Sequence, residues 1–486
     1  MAAKSKGMMR ASAGTPWSDA LGAEESLWVV AAYEGLRARM SARQEARSLA
    51  AAEAKRMALS QSSPWLALEV VQGAEYNVEG ECGRWSFKTH KVVDKDSGKI
   101  LHDTRRDLPK QQGERRHRTE GALKLMLFMG LSRQSGRDTS ALLNYVYHQP
   151  GAVVTTTARD FAEAEGGRIG EELYALAELE LAGAAPFPIA RPVGALPPVL
   201  PQDTLDGAFA QAAVPGWLEA EARANPVPLS SPDETVNVSP DAVFRRKRKE
   251  SRQEGRAAAK GERKTVSAYC ASLWTDESSI SFATDSYESL SRVTLACLLA
   301  NRLASRCCCL LSDGEQKIKE VFHTALPLVA AVFIHVLDWH HLDKRCSQLL
   351  SLALKGKEIR NAHRQELLTL LWHGCVDSAI AYLGKIPEAD IKGGKHLQEL
   401  SEYLRKRKGQ IPVYSVRKAL GLANSSNRVE KANDLLVSAR QKGKGMSWSQ
   451  EGSLALACIR MVAVNHQQEL WLSERKLSLE MRLVAA

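Results

Sequence analysis

No stretch of this chain is long and apolar enough to span a membrane. The longest nearly apolar run, Ala325 to Leu337, is broken by His335, whereas a spanning helix needs about 20 apolar residues. An integral membrane protein is therefore excluded at the level of sequence. The N-terminus also lacks the compact apolar core of a secretory signal. The nine cysteines include no Cys-x-x-Cys pair, and three stand together as Cys307, Cys308 and Cys309. Adjacent cysteines on a strand build neither a regular disulfide framework nor a zinc clamp. These absences predict a reduced, cytoplasmic protein. What is present is a chain of 486 residues, 44% hydrophobic and 25% charged, with a net charge of +10. At roughly 150 residues per domain the length suits about three domains. The composition excludes a wholly disordered chain. The positive balance suits a polyanionic partner.

Pattern changes along the chain predict an α+β multidomain protein. Residues 1–103 read as a helical region with a small β-hairpin. Trp28, Val29, Ala32 and Leu36 share one helical stripe, and Asp94 to Gly98 forms a turn signal. Residues 104–185 read as short helices. The last begins at Thr155-Thr156-Thr157, a pattern compatible with a helix-turn-helix and equally with a plain helical core. Residues 184–240 hold 11 of the 18 prolines, so a linker is expected over 186–234.

From Thr235 the element order reads β-β-β-α-β-α-β, then helices. Val236 to Val238, Thr265 to Trp274 and Ser279 to Thr284 are three expected strands. An amphipathic helix (Ser286 to Ala304), a short buried strand (Cys307 to Leu311), a helix (Gln316 to Leu326) and a central strand (Val329 to Leu337) follow. Meandering strands followed by crossovers give a mixed sheet with helices on its faces. That order is similar to the ribonuclease-H-like fold. The resemblance implies a catalytic core over 235–338, a helical insertion over 339–422 and a return to the core over 423–486.

Enzymes of that fold cluster acids at one sheet edge, and the corresponding places here hold Asp241, Asp313 and Glu430, with Asp233 and Asp276 as alternatives for the first. Three carboxylates would hold two Mg²⁺ ions about 4 Å apart, with Mn²⁺ as a possible substitute. Each acid has an ordinary structural reading as well. Pro240-Asp241 and Asp313-Gly314 are turn pairs, and Glu430 three residues after Asn427 suits a helix start. Asp313 and Glu430 are 117 positions apart, so a helical insertion must lie between them if they meet.

The C-terminal segment carries the more specific likeness. Asn427-Arg428-Val429-Glu430-Lys431-Ala432-Asn433 is followed by Arg440-Gln441-Lys442-Gly443-Lys444-Gly445-Met446-Ser447-Trp448-Ser449. This resembles the C-terminal signature of bacterial insertion-sequence DDE transposases of the Mutator-related group, in which an Asn, an Arg-x-Lys and a Gly-Met-x-Trp-Ser segment follow the third acid. Asp338-Trp339-His340-His341 resembles that group's Asp-x-x-His element. The likeness covers about half the chain. It departs where Ala423 to Asn427 precede the glutamate without the usual glycine.

The resemblance implies Asp241, Asp313 and Glu430 as catalytic and metal-holding acids, with His341 in support. It implies double-stranded DNA as partner, at terminal inverted repeats and at target, and a homo-oligomer associated with the nucleoid. Two basic regions suit DNA. Phe244 to Lys264 carries Lys247 and Arg248 among ten cations, and Arg440, Lys442, Lys444 and Trp448 form the second region. The expected activity is metal-dependent cleavage and strand transfer at element ends. The alternatives are a catalytically inactive, transposase-derived DNA-binding protein and a structure-selective nuclease of the same fold.

Overall fold

The computed structural model describes residues 16–80, 82–108, 117–118, 121–122, 125, 136–184, 200–248, 265–304, 306–330, 332–443 and 446–483. They divide into two compact units, Met1–Phe161 and Ala162–Ala486.

In the first unit a long helix, α1 (Pro16–Ser62), is followed by β1 (Leu68–Gly80), β2 (Gly83–Asp94), β3 (Ile100–Asp103) and the short β4 (His117–Arg118). The strands form one sheet in the order β3-β2-β1-β4. The expected turn is present between β2 and β3. Its Gly98 takes a positive φ of 66° and donates its N–H to the Asp94 carbonyl at 2.8 Å. The sequence did not reveal β1, because charged residues and a bulge between Gln72 and Glu75 interrupt its alternation. Helix α1 packs on β2. The Ser48 hydroxyl fastens it there, 2.8 Å from Thr104 Oγ1 and 3.1 Å from His90 Nδ1.

Of the expected helices over 104–185, the first lies largely outside the described residues. The next two are α2 (Gly136–Val146) and α3 (Thr155–Gly183). The connection between them spans residues 147–154, longer than the 3–4-residue turn of a helix-turn-helix. Asn144 braces it, accepting from the Val153 N–H at 2.7 Å and donating to the Val153 carbonyl at 2.9 Å. From Ala162 onward α3 belongs to the second unit. There its buried Glu165 receives the Trp471 indole N–H at 2.9 Å and pairs with Arg475.

The stretch expected as a linker carries two helices where it is described. Its residues 186–199 lie outside the described residues, but 202–223 fold as α4 (Gln202–Gln211) and α5 (Gly216–Arg223). Pro201 and Pro215 sit at their N-caps, where a missing N–H costs nothing. Phe209, Leu218 and Val227 join the core formed by the later helices. Proline count misled here because two of the prolines, Pro201 and Pro215, fall at helix starts. Leu218→Ala should therefore cost about 2–5 kcal/mol in denaturant unfolding, as for a buried core leucine. A linker residue would cost less than about 0.5 kcal/mol.

The second unit is built on β5 (Thr235–Arg246), β6 (Thr265–Trp274), β7 (Ser278–Thr284), α6 (Tyr287–Ala300), β8 (Cys307–Ser312), α7 (Gln316–Ala325) and β9 (Val332–Leu337). With a two-residue β10 (Arg482–Leu483) the sheet order is β10-β7-β6-β5-β8-β9. β5, β6 and β7 form an antiparallel meander, and β8 and β9 run parallel to β5. β8 is buried along its whole length, as an uninterrupted apolar run predicts. β5 is longer than expected and runs through Pro240 and Asp241 to Arg246. Its ladder with β8 ends at Val238, after which the Ser239 hydroxyl bonds the Leu311 carbonyl at 2.8 Å. The strand thus carries its proline just beyond that ladder.

The expected helical insertion is present. It comprises α8 (Trp339–Ala353), α9 (Lys357–Trp372), α10 (Val376–Leu383), α11 (Gly394–Arg407) and α12 (Tyr414–Ala419). Leu349, Leu350, Leu367, Leu371, Leu400 and Leu404 bury its apolar faces. The chain then returns as α13 (Asn427–Asn433), a π-helical turn (Asp434–Ser438) and α14 (Ala439–Gln441), followed by α15 (Gln450–Val464) and α16 (Gln468–Glu474). α13 packs against β5 and β6, and α15 against β6 and β7.

All nine cysteines are buried and free. Among the described residues no helix is long and apolar enough to cross a membrane.

Candidate active site

Strand register decides where the first two acids meet. β5 and β8 are parallel, and their last ladder pair is Val238 with Leu310. Asp241, inside β5, and Asp313, just past β8, each lie three residues beyond that pair on adjacent strands, which are spaced about 4.8 Å apart. The alternatives fall elsewhere. Asp233 precedes the opposite end of β5, and Asp276 lies in the β6–β7 turn beyond Trp274, the partner of Asn237.

Asp241 Oδ1 accepts its neighbour's Ala242 N–H at 2.7 Å, and Oδ2 accepts the Asn433 amide at 2.5 Å. Burial pushes its carboxyl up to about 6, with the nearby Asp313 charge acting in the same direction. The two donors and His341 pull the other way without cancelling the effect. Asp313 is exposed, and its Oδ1 caps the following turn by accepting the Glu315 N–H at 2.7 Å.

Glu430 comes to the same edge on α13. Asn433 lies one turn further along that helix, and residues three apart share a helix face. Since Asn433 touches Asp241, Glu430 stands on the side of α13 that faces the acid pair. His341, in the first turn of α8, feels the charges of both Asp313 and Glu430. Its hydrogen bond to Asp338 is the main reason its pKa is raised.

Asp338 organises the two helix starts. It is 1% exposed and caps α8 by accepting the His341 N–H at 2.8 Å, while His341 Nδ1 lies 3.1 Å from the same oxygen. Its other oxygen accepts the Ser426 N–H at 2.5 Å and the Ser426 hydroxyl at 2.9 Å. Ser426 is the residue before α13. One carboxylate therefore fixes the helix that carries His341 against the helix that carries Glu430. Trp339 N–H adds a bond to the Asn424 carbonyl at 3.1 Å. No residue of the turn from Ala423 to Asn427 takes a positive φ, so its backbone needs no glycine.

Sequence reasoning missed Asn433 as a partner of Asp241 and Asp338 as a tie to Ser426. The Asn three positions after Glu430 was the available signal for the first. No local pattern signals the second.

The two basic regions meet at the end of β5. Trp448 N–H bonds the Arg246 carbonyl at 3.0 Å, and Arg248 N–H bonds the Trp448 carbonyl at 2.8 Å. Lys247 pairs with Trp448 as an isolated parallel bridge. Arg248 and Lys442 are exposed, whereas Lys247, Arg440 and Trp448 are half-buried. The Trp448 indole N–H is committed to the Gln441 carbonyl at 3.0 Å. Arg245, expected among the solvent cations, is 3% exposed instead, because alternation along β5 turns it inward. Burial lowers its pKa to about 10. Lys444 and residues 249–264, most of the first basic stretch, lie outside the described residues.

The donor set at the acid edge is oxygen-rich and negative, the chemistry that suits Mg²⁺ or Mn²⁺. Among the described residues no group of three His, Cys, Asp or Glu side chains is close enough to hold a metal ion. The pair Asp241 and Asp313 fits as a nucleus for one, since the Asp313 charge already raises the Asp241 carboxyl. Without a cation, the buried Asp241 charge costs stability. Its folded pKa lies above the unfolded value, so the penalty is full above about pH 6 and fades as pH falls towards 4. Asp241→Asn should therefore stabilise the metal-free protein at pH 8 by about 1–2 kcal/mol. The gain should shrink as pH falls below 6 and be nearly lost by about pH 4, as read by denaturant unfolding in EDTA.

No protein-family model and no curated protein matches the chain.

Proposed function

We propose that this chain is a metal-dependent DNA transposase of a bacterial insertion sequence, built on a ribonuclease-H-like core. The observation that carries the reading is the meeting of Asp241, Asp313 and the Glu430 helix at one sheet edge, from three distant parts of the sequence. The β7-β6-β5-β8-β9 order, a meander joined to two parallel strands, supports the ribonuclease-H-like assignment. So does the position of the helical insertion between Asp313 and Glu430.

On this reading Asp241 and Asp313 would hold the metal, and Glu430, on the helix that faces them, would complete the ligand set once drawn closer. When bound, the metal pair supplies activation of the attacking oxygen and stabilisation of the leaving oxygen at phosphorus. His341, its pKa raised by Asp338, presents a positive or hydrogen-bonding edge to a phosphate oxygen. Asn433 keeps the Asp241 carboxylate aimed at the edge. Arg248 and Lys442, exposed beside the end of β5, neutralise backbone phosphates. The partner is double-stranded DNA at the element ends and target, and joining two ends calls for more than one copy of the chain.

The test is a strand-transfer assay. The purified chain is incubated with Mg²⁺ or Mn²⁺ and a plasmid carrying the DNA that flanks its own coding sequence. Cleavage at the flanks with joined products supports the reading. Cleavage of branched or hybrid substrates without joining would replace it with a nuclease of the same fold.

A second reading is an inactive, transposase-derived DNA-binding protein. The absence of a close three-ligand group among the described residues favours it. Binding without cleavage in either metal would select it.

A further inference from the structure

We propose that Arg407, at the end of the insertion helix α11, is a positioning residue that sets the place of the Asp313 carboxylate, so that docking of the helical insertion controls the acid edge. The inference rests on reading Asp313 as a metal-holding acid.

The residues on either side of Asp313 are held by one closed ring of hydrogen bonds. Arg407 Nη2 donates to the Gly314 carbonyl, and its Nη1 donates to Gln410 Oε1 at 3.0 Å. The Gln410 amide donates to His335 Nδ1 at 3.1 Å. His335 Nε2 lies 2.8 Å from Ser312 Oγ, which accepts the Gly314 N–H at 3.2 Å. The ring closes on Gly314 and encloses Asp313 between Ser312 and Gly314.

One tautomer of the imidazole suits this ring. Its Nδ1 receives the Gln410 amide, so its proton is on Nε2 and points at Ser312. His323 Nε2 lies 2.7 Å from the same Nδ1 and competes with the Gln410 amide for its single lone pair. Burial, aided by the charges of His323, Arg407 and Lys319, lowers the His335 pKa to about 3, which keeps it neutral.

Gly314 is needed for the approach. Its φ is +85°, and a Cβ there would meet Leu337 Cδ1 at 2.9 Å and the Arg407 guanidinium carbon at 3.3 Å. Half of the ring comes from the sheet and half from residues 407–410 of the insertion. The insertion therefore grips the second acid as Asp338 grips the helix of the third.

The experiment compares the wild-type chain with Arg407→Ala and Arg407→Lys. Amide hydrogen exchange reads the turn, and titration with Mn²⁺ alone reads the acids. Arg407 is only partly buried, and Lys keeps one donor should the Ala variant fold poorly. The expected result is exchange at Gly314 and Glu315 faster by about tenfold or more in Arg407→Ala, with β8 and β9 protected as before. Mn²⁺ binding should weaken by about 10–100-fold, as for loss of a group that orients ligands. Lys should fall between the two. Unchanged exchange at Gly314 in a folded Arg407→Ala variant overturns the proposal, and so does faster exchange with unaltered Mn²⁺ affinity. If the wild type itself binds no Mn²⁺, the metal reading of Asp313 fails, and the exchange result alone decides whether Arg407 holds the turn.

Discussion

Replacing Asp313 with asparagine should abolish metal-dependent cleavage and joining together, by about 10³-fold or more, equivalent to about 4 kcal/mol of barrier. The change should leave the fold intact. Asp313 is exposed, and an asparagine Oδ1 still accepts the Glu315 N–H that closes the turn. DNA affinity should stay unchanged or rise slightly, because one negative charge is removed next to a polyanion. The variant therefore separates chemistry from binding. The matching Asp241→Asn change should also remove activity. It differs in stabilising the metal-free protein, because Asp241 is the buried member of the pair. Gel-resolved cleavage products and a DNA-binding titration, run on the same preparations, check all of this. Activity that persists in Asp313→Asn would sink the catalytic assignment whatever the geometry suggests.

The strands of the second unit were legible because composition alone separates them from helices. Cys307 to Leu311 is a short apolar run ended by Ser-Asp-Gly. Val329 to Leu337 reads as a central strand, but β9 begins at Val332 and lies at the edge of the sheet, covered by the insertion rather than by another strand. The turn at Asp94–Gly98 and the α6 start at Ser286 followed from local rules in the same way, and the insertion after Asp338 from the 117 positions between Asp313 and Glu430. The errors have physical causes too. Pro240 suggested the end of a strand, but the β8 ladder stops at Val238 and the strand continues past the proline. Pro201 and Pro215 suggested a linker, but proline at a helix start favours the helix.

The candidate site was legible as a set of acids, although Asp241 lies inside β5 and not at its end. Its supports were not. Asp338 reaches Ser426 across 88 positions, and Arg407 reaches Gly314 across 93. Neither contact leaves a trace in periodicity or propensity, because it exists only once the insertion is folded against the sheet. Arg245 shows the converse failure. A cation in a basic run reads as solvent-facing, yet strand alternation turned it inward.

Asp338→Ala should have the largest effect on stability of any change at the acid edge. Burial alone would push the Asp338 carboxyl up, but hydrogen bonds from His341 and Ser426 outweigh it and hold it down at about 2. Alanine removes the cap of α8, worth about 0.5–2 kcal/mol. It also leaves the Ser426 N–H and hydroxyl buried without an acceptor, at about 1–3 kcal/mol. A loss of about 3 kcal/mol or more is expected at pH 7. The pH dependence identifies its source. Because the folded pKa lies below the unfolded value of about 3.9, the carboxylate stabilises fully above about pH 5, and that contribution is lost as pH falls towards 2. Denaturant unfolding should therefore show the gap between wild type and variant narrowing from pH 7 to pH 3. The His341 titration should shift downward in the variant, since the bond to Asp338 is the main cause of its raised pKa. Loss of stability without that downward shift would mean that Asp338 acts on the fold alone and does not set the charge of His341.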